Sequence, residues 1–600
     1  MGLNGIITAS VGTPRIANGN MNLNLRQGKF NFFVSGGYNQ SGGKARGETM
    51  RQNKANGSIT DYFNQVTVND RFRRFKSLRF GTDYFMDNRN TLSLTQDFGQ
   101  GRFTNEEEQN QEYLNKDAVM EYHGNRFAYN RSVFKRNSTR VSYKHTFPQP
   151  GRELTADLTY NYGRNTGNSV IDNSFLLPGG GEYKTPTKVR NEGSGNNTQF
   201  TFQADYVHPL SEDAKWEGGI RSYHNESKSF YNAFAVENTQ ETKLPLSNNY
   251  KYTEMISALY GTYSAKQKSF SYQIGLRAEY SKFTGTLIDS AFKFGYEYPA
   301  AIKSIWDALF PSLFLTKQLG EKDQLQLNYS RRVRRPDFWQ INPFIDINDP
   351  VNLRQGNPQL RPEFINSFEL NYSKDYKNGN FLTSIYFRNN PDDITQYSDT
   401  ITADQYDKLQ NAGVDPNAIL NTFINASTTN RYGAEFVLQH KAGDNFNITP
   451  SVNFQYRTVS ARVNDLDLSN KGFSWEAQLT ADYKIVLEKK SIFNNLGFQL
   501  MGEYESAEVI PQGKRKPEYG MDFAMRKDFL KNNKATITFG INDVFNTQRW
   551  GTIYDTENFY QDSYRRWNVR NFRITFSCTS QLNPLLLRSR SLTLALTVRY

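Results

Sequence analysis

The chain has 600 residues, of which 37% are hydrophobic and 14% aromatic, and its formal net charge is +12. No run of about 18 consecutive apolar residues occurs, which excludes a transmembrane helix but not membrane-spanning strands, whose hydrophobicity only alternates. Lysine and arginine are spread along the whole chain and do not form one basic stripe, so we expect no nucleic-acid binding.

The residues that most often bind metals or perform catalysis are few. Cys578 is the only cysteine, which excludes an intrachain disulfide and a cysteine-based zinc site. The five histidines are scattered, and none belongs to a paired metal-binding motif. No nucleophile, base and orienting group can be combined into a catalytic set. We therefore predict that the protein is not an enzyme and has no cofactor.

Apolar and polar residues alternate with a period of two along the whole chain. In residues 155–162, for example, alanine, leucine and two tyrosines share one face, whereas Asp157, Asn161 and two threonines share the other. The polar face is too hydrophilic for a sandwich core and favours a water-lined lumen. The segments that alternate in this way predict 22 strands, at residues 6–12, 19–26, 30–39, 77–86, 91–98, 137–145, 154–163, 198–207, 214–224, 254–265, 270–283, 309–318, 323–332, 366–374, 381–389, 431–440, 446–457, 473–484, 495–505, 518–528, 535–544 and 567–577.

The connections between these strands alternate between short and long. Connections from an even-numbered to an odd-numbered strand are short and built mostly of turn-forming residues, as in residues 27–29 and 375–380. Short turns on one rim and long loops on the other are typical of an outer-membrane β-barrel. Most of the remaining connections are predicted to be loops of about 30–40 residues, at 40–76, 99–136, 164–197, 225–253, 333–365 and 390–430.

We therefore predict an all-β protein, a 22-stranded antiparallel transmembrane β-barrel with long extracellular loops and short periplasmic turns. An even number of strands lets the last strand pair with the first and leaves no free edge. The barrel is assigned residues 1–577, and residues 578–600 are expected to form an atypical C-terminal tail, periplasmic and poorly ordered. A soluble propeller would repeat about every 40–50 residues, and no such repeat is present.

Four stretches of the chain carry a family resemblance, at residues 5–35, 77–98, 329–372 and 539–550. The most specific contains YSRRVRRPDFWQINPF followed by QGNPQLRPEF. These stretches are similar to the β-barrel of TonB-dependent outer-membrane receptors and transporters, in the branch typical of Bacteroidetes. That family carries a plug domain and a short TonB-interacting segment before its first barrel strand, and both are missing before residues 6–12. The chain also has no signal peptide, so we expect a mature sequence or a fragment.

The resemblance implies the outer membrane of a Gram-negative, Bacteroidetes-like cell and a receptor that binds and imports a bulky, scarce solute. The solute would be a ferric chelate, a vitamin, a glycan or a peptide fragment. The alternative is a plugless passive pore or a surface scaffold for ligand binding, because an empty lumen of this calibre conducts. We expect outer-membrane lipid and lipopolysaccharide as partners, TonB only if a plug lies upstream, and a monomer.

Four arginines near the start of the fifth long loop are candidate ligand-binding residues. Arg331, Arg332, Arg334 and Arg335 would draw an anionic ligand into the lumen, because a narrow cleft of low dielectric constant focuses the electric field. The alternative is structural, with the arginines paired to wall carboxylates such as Glu369 or to lipid phosphates.

The same loop carries aromatic and acidic candidates. Aromatic rings beside Asn and Asp would stack on a sugar or a chelate ring, or would equally pack the loop onto its neighbours. An acidic set, Asp346, Asn348 and Asp349, could hold calcium but lacks the ordered spacing of a calcium loop, so we predict no metal site. The aromatic candidates are Phe338, Trp339 and Phe344, with Phe364 nearby.

Overall fold

The computed structural model describes residues 2–245, 247–347, 349–409, 413–463, 466–487, 491–566 and 569–581. Helical structure in these residues is limited to α1 (Phe338–Ile341), α2 (Ala403–Leu409) and two 3-10 turns (Ile302–Ala308 and Lys531–Asn533). None of these helices is long and apolar enough to cross a bilayer. The strands are β1 (Gly2–Thr13), β2 (Ile16–Gln27), β3 (Phe30–Ala55), β4 (Ser58–Phe85), β5 (Asn90–Asn115), β6 (Met120–Thr146), β7 (Glu153–Leu176), β8 (Glu182–Pro209), β9 (Ala214–Glu237), β10 (Gln240–Lys243), β11 (Asn248–Gln267), β12 (Phe270–Leu287), β13 (Lys293–Tyr298), β14 (Leu309–Gln318), β15 (Asp323–Arg334), β16 (Ile345–Asp346), β17 (Asn352–Gln355), β18 (Glu363–Tyr376), β19 (Gly379–Pro391), β20 (Ile394–Thr400), β21 (Ile419–Asn425), β22 (Thr428–Ala442), β23 (Phe446–Ser460), β24 (Arg462–Val463), β25 (Leu466–Asp467), β26 (Asn470–Ile485), β27 (Leu496–Glu505), β28 (Glu508–Ile510), β29 (Gly513–Arg515), β30 (Glu518–Phe529), β31 (Ala535–Asn542), β32 (Trp550–Asp555), β33 (Phe559–Arg565) and β34 (Asn571–Gln581).

Twenty-two of the strands in the described residues form one closed antiparallel barrel, as the alternation predicts. Each wall strand pairs with the next one along the chain, and β34 returns to pair with β1. The pairing places Ile6 opposite Thr579 and Val11 opposite Ile574. This closure satisfies the backbone hydrogen bonds of both terminal strands, which a lipid environment requires.

The predicted end of the barrel at residue 577 is four residues too early. The closing strand runs over Asn571–Gln581, and Cys578 lies opposite Ile7 in the seam. The alternation of Phe572, Ile574 and Phe576 ends at residue 577, but backbone pairing with β1 continues because it does not require apolar side chains. The remainder of the predicted tail, residues 582–600, lies outside the described residues.

The two faces of the wall differ as a membrane barrel requires. Outward-facing aromatic rings contact one another from strand to strand, with ring centroids 4.7 Å apart for Tyr329 and Phe368 and 4.9 Å apart for Phe387 and Tyr432. Inward-facing charges pair across strands, as in the 2.7 Å contact between a guanidinium nitrogen of Arg140 and an oxygen of Asp157. The outer face is therefore suited to lipid and the inner face to water.

Four of the six predicted long loops are instead continuations of the wall strands. β3 and β4 extend beyond the membrane as far as a tight turn at Asn56 and Gly57, where φ is +49° and +77°. We call the extended parts of β3–β9 the ribbons. On β5 the outward residues beyond Phe98 are polar or charged, among them Arg102, Glu106 and Asn110, so the hydrophobic alternation disappears although the strand continues. The loop prediction was wrong because hydrophobic alternation, from which the strands were predicted, is present only where one face of a strand contacts lipid.

Candidate functional site

The two other predicted loops fold together over the extracellular mouth of the barrel. We call residues 335–362 and 392–427 the cap; its sheet has the order β16–β17–β21–β20. β17 from the first loop and β21 from the second are parallel neighbours, with Asn352 opposite Ile419. The side chain of Asn421 donates to the carbonyl oxygen of Leu353 at 3.0 Å. The two loops are thus one structural unit.

The cap is packed against the inner face of the ribbons. Val351 and Leu353 of the cap are fully buried. Leu353 belongs to a cluster that includes Ile171 and Val189 of the ribbons, and Val351 packs among ribbon aromatic residues. Burial of each such side chain contributes about 1.5–3 kcal/mol. In this conformation the mouth is filled by the protein itself.

Two buried arginines of the ribbons hold the cap by its backbone. Arg51 donates to the carbonyl oxygen of Val351 at 3.2 Å, and Arg126 donates to that of Ile347 at 3.1 Å. The guanidinium of Arg51 also lies 4.9 Å from the ring centroid of Phe63. Both arginines fell in predicted loops, so the sequence analysis did not single them out.

A buried carboxyl of the cap lies near the first of these arginines. Asp415 is 8% exposed and accepts a hydrogen bond from the backbone nitrogen of Asn417 at 2.8 Å. Burial raises the pKa of Asp415 above its ordinary range, and the nearby charge of Arg51 opposes that shift. Burial likewise lowers the pKa of Arg51. The contact between cap and ribbons therefore contains charged groups that would be better solvated if the cap opened.

Each loop of the cap is also anchored where it leaves the wall. Glu363, which is 1% exposed, accepts two hydrogen bonds from Arg334 at 2.5 and 2.8 Å and one from the backbone nitrogen of Ile394 at 2.6 Å. Asp393 accepts from the hydroxyl of Thr429 at 2.6 Å. These contacts fix the start of both loops against neighbouring wall strands.

The four arginines predicted to bind a ligand have different surroundings. Arg334 is paired with Glu363 as above, Arg335 is paired with Glu279, and Arg331 lies 3.7 Å from Asp307. Arg332 is exposed and has no hydrogen bond or ion pair within the part of the chain that the structure describes. Three of the four arginines are thus paired with carboxylates, which was the structural alternative to ligand binding. Arg332 has a free guanidinium among the described residues.

The predicted aromatic residues are also divided between packing and exposure. Phe338 lies 5.9 Å from Tyr250 and Phe344 lies 6.2 Å from it, centroid to centroid, so both rings pack the cap onto β11. Trp339 is 72% exposed. Of the predicted aromatic set, Trp339 is the residue whose ring a solute at the cell surface can reach.

The acidic residues proposed for calcium do not form a cluster in the described residues. Asp349 accepts hydrogen bonds from the backbone nitrogens of Val351 and Asn352, each at 3.2 Å, as a turn residue does. Asn348 lies outside the described residues. Within those residues, no group of three or more His, Cys, Asp or Glu side chains is arranged to hold a metal ion.

A row of arginines on the inner wall below the cap was not singled out from the sequence. Arg388 on β19 lies directly opposite Arg431 on β22, and Arg431 lies directly opposite Arg457 on β23. The neighbouring residues Tyr432 and Ile385 are exposed on the outer face, so the row points into the lumen. Alternation predicts which residues point inward, but not which of them meet across strands.

The chain is thus a closed β-barrel with a wide lumen, a lipid-facing outer surface and a mouth filled by two of its own loops, which is the architecture of large outer-membrane barrels. The model of the outer membrane protein beta-barrel family matches residues 145–577. Since this match spans more than half of the sequence, the protein belongs to that family. A comparison with curated proteins finds no match.

Several solved structures have the same fold. The copper transporter OprC aligns with a TM-score of 0.61 at 11% identity, over 96% of this chain and 80% of that one. The ferric yersiniabactin uptake receptor FyuA from Yersinia pestis gives 0.58 at 12% identity, over 96% and 80%. BauA, the ferric preacinetobactin receptor from Acinetobacter baumannii, gives 0.55 at 10% identity, over 97% and 80%. The barrel therefore has the same fold as these receptors and this transporter, as the resemblance predicts.

Proposed function

We propose that the protein is the barrel of a receptor that binds a bulky, scarce solute at the cell surface and imports it with energy relayed by TonB. The observation that carries this proposal is that a folded cap fills the mouth of a 22-stranded barrel. A lumen of this size admits large solutes when it is open. A cap that is held by buried charged contacts lets a solute enter only when the cap opens. Receptors for ferric chelates and a copper transporter share the fold, so a metal chelate is the first solute class to test.

The proposal has several parts beyond the fold. The cell is Gram-negative and Bacteroidetes-like, and the barrel is a monomer surrounded by lipid and lipopolysaccharide. It performs no catalysis. TonB acts in this family through a plug domain, so the coding sequence upstream of residue 1 belongs to any test of import.

Uptake in cells tests the proposal directly. Cells with the intact gene, cells without it and cells without TonB are supplied with radiolabelled ferric chelates, cobalamin, oligosaccharides or peptides. We expect one class to accumulate only when both the gene and TonB are present. Equal accumulation with and without TonB would instead support a passive pore, and binding without accumulation would support a surface scaffold.

A pair of tryptophan variants tests whether the cap takes part in capture. Trp339→Ala removes an aromatic ring that is 72% exposed on the cap, whereas Trp306→Ala removes one that is 67% exposed outside it. If the solute stacks on the cap, the first variant lowers uptake at limiting solute concentration by about fivefold, since stacking contributes about 1 kcal/mol. The second variant should leave uptake unchanged.

A further inference from the structure

We propose that the lumen wall below the cap holds a binding site for a solute with two or more carboxylate or phosphate groups, formed by Arg388 and Arg431 with Arg332 above them. This inference rests on the proposed function and narrows its solute class. It concerns a part of the barrel different from the exposed aromatic ring of the cap. A neutral glycan or a cationic peptide would not use such a site.

The register of the wall places like charges directly opposite each other. Arg388, Arg431 and Arg457 occupy three neighbouring strands as direct cross-strand partners. Side chains in such positions have Cβ atoms about 4.5–5.5 Å apart, and like charges directly opposite each other are destabilising. An anion between the guanidinium groups would remove that repulsion.

The charges of the row are unequally compensated by neighbouring carboxylates. Arg457 has a side chain 7% exposed and is compensated, with Glu508 at 3.1 Å and Asp393 at 3.7 Å. Arg388 is 44% exposed, and its contact with Glu369 is loose, at 3.5 Å. Arg431 has no hydrogen bond or ion pair within the described residues. The middle of the row therefore carries an uncompensated positive charge that faces the lumen.

Further polar groups continue the row toward the mouth. Ser367 lies directly opposite Arg388 and donates its hydroxyl to Glu369 at 3.0 Å, and Ser330 lies directly opposite Ser367 and supplies the next hydroxyl. Arg332, exposed and without a partner in the described residues, is two positions further toward the mouth on the same strand as Ser330. Guanidinium groups bind carboxylate and phosphate in a bidentate manner, and hydroxyl groups add single hydrogen bonds.

The wall carries negative charges on the periplasmic side of the arginine row. Direct cross-strand pairing joins four glutamates on four strands, each opposite another member or opposite Asn453: Glu435, Glu476, Glu505 and Glu518. Glu435 is four residues from Arg431 on β22, which corresponds to about 13 Å along the strand. A polyanion that enters from the mouth is attracted by the arginines and repelled by the glutamates, so it stops at the arginine row.

Binding by the purified 600-residue barrel in detergent tests the site. Isothermal titration calorimetry at low salt would use citrate as a tricarboxylate probe, tripolyphosphate as a phosphate probe and maltoheptaose as a neutral probe. We expect at least one anionic probe to bind, binding to weaken with added salt, and the neutral probe not to bind. The two anionic probes separate a carboxylate solute from a phosphate solute.

Charge-removing variants locate the site. Arg431→Gln should weaken binding of the anionic probe about tenfold, and Arg388→Gln combined with it should weaken binding further, because each removes a charge-assisted hydrogen bond. Arg102→Gln removes one positive charge from the exposed outer side of a ribbon and should not change the affinity. Heat-modifiable gel mobility shows whether each variant forms the barrel.

Two results would overturn the site. One is the absence of binding of either anionic probe to the intact barrel at millimolar concentration. The other is unchanged affinity in the folded Arg388→Gln and Arg431→Gln double variant. Because calorimetry requires neither TonB nor transport, loss of binding in the variants supports the site even if uptake proves independent of TonB, in which case the proposed function alone fails.

Discussion

At the scale of single residues, the cap is held by buried polar contacts as much as by apolar packing. Arg51 is 2% exposed and Arg126 is 3% exposed, and both donate to carbonyl oxygens of the first cap loop. A buried cation is costly unless it is fully compensated. These contacts thus stabilise the closed conformation of the cap, and they become weaker when water reaches the buried arginines.

Substitution of Arg51 should loosen the cap without unfolding the wall. Arg51→Ala removes one of the two donors to the carbonyl of Val351, the other being the backbone nitrogen of Ile419, and removes a buried cation close to Asp415. This change should destabilise the closed cap by about 3 kcal/mol. Hydrogen–deuterium exchange of residues 349–355 measures this as faster exchange. Arg46→Ala, on the same strand at a position 61% exposed, should leave exchange unchanged. Equal protection in both variants would contradict the role of Arg51.

The buried carboxyl of Asp415 predicts a pH dependence of cap closure. Its pKa in the closed cap is raised above the ordinary value of 3.8, so the closed state binds the proton more tightly than the open state. The resulting stabilisation is full below the ordinary pKa and is lost as the pH rises through the raised pKa.

We therefore expect the cap to be better protected from exchange near pH 4, close to the ordinary pKa, than at pH 7, after correction for the intrinsic exchange rate. Asp415→Asn should flatten this dependence. Asp404→Asn, at an exposed carboxylate paired with Lys408 on α2, should retain it. A cap whose protection is independent of pH in the intact protein would show that Asp415 does not control closure.

At the scale of elements, the positions of the wall strands follow from the sequence, whereas the ribbons do not. Each predicted strand coincides with part of a wall strand, because lipid on one side and water on the other impose alternation. Beyond the membrane both faces of the ribbons are polar or mixed, as in the exposed Glu106 and the buried Gln109 of β5. A usable signal was the Asn56–Gly57 pair, which is typical of a tight hairpin turn.

The anchor of the first cap loop can be tested at this scale. Glu363→Gln weakens two charge-assisted hydrogen bonds from Arg334, whose side chain is 45% exposed, so we expect a loss of about 2 kcal/mol. The heat-modifiable gel transition should move to lower temperature. Glu297→Gln, at an exposed ion pair with Lys282, should move it little. An unchanged transition for Glu363→Gln would show that the anchor does not limit stability.

At the scale of the whole molecule, the wall and the cap have separate roles. The wall is continuous around the lumen, and its seam between β1 and β34 leaves no unpaired edge. The cap closes one end of that lumen by packing against the ribbons. The sequence left an open, conducting lumen as one alternative and did not predict this closure at the mouth.

Planar bilayer recordings distinguish the two states of the mouth. We expect the 600-residue chain to show low conductance with occasional opening, because the cap fills the entrance. Arg51→Ala should increase the fraction of time at high conductance, whereas Arg46→Ala should not. Steady high conductance of the unaltered chain would show that the cap does not restrict passage.

The sequence by itself determined the class of fold, the number of wall strands, and the inward or outward direction of residues such as Tyr432 and Arg431. These properties are local, since each strand responds to lipid and water independently of its neighbours. Tertiary structure alone decided that β17 pairs with β21, and that Arg388, Arg431 and Arg457 meet in one row. The reason is that contacts between strands depend on register and on packing between distant segments, which alternation along one strand does not encode.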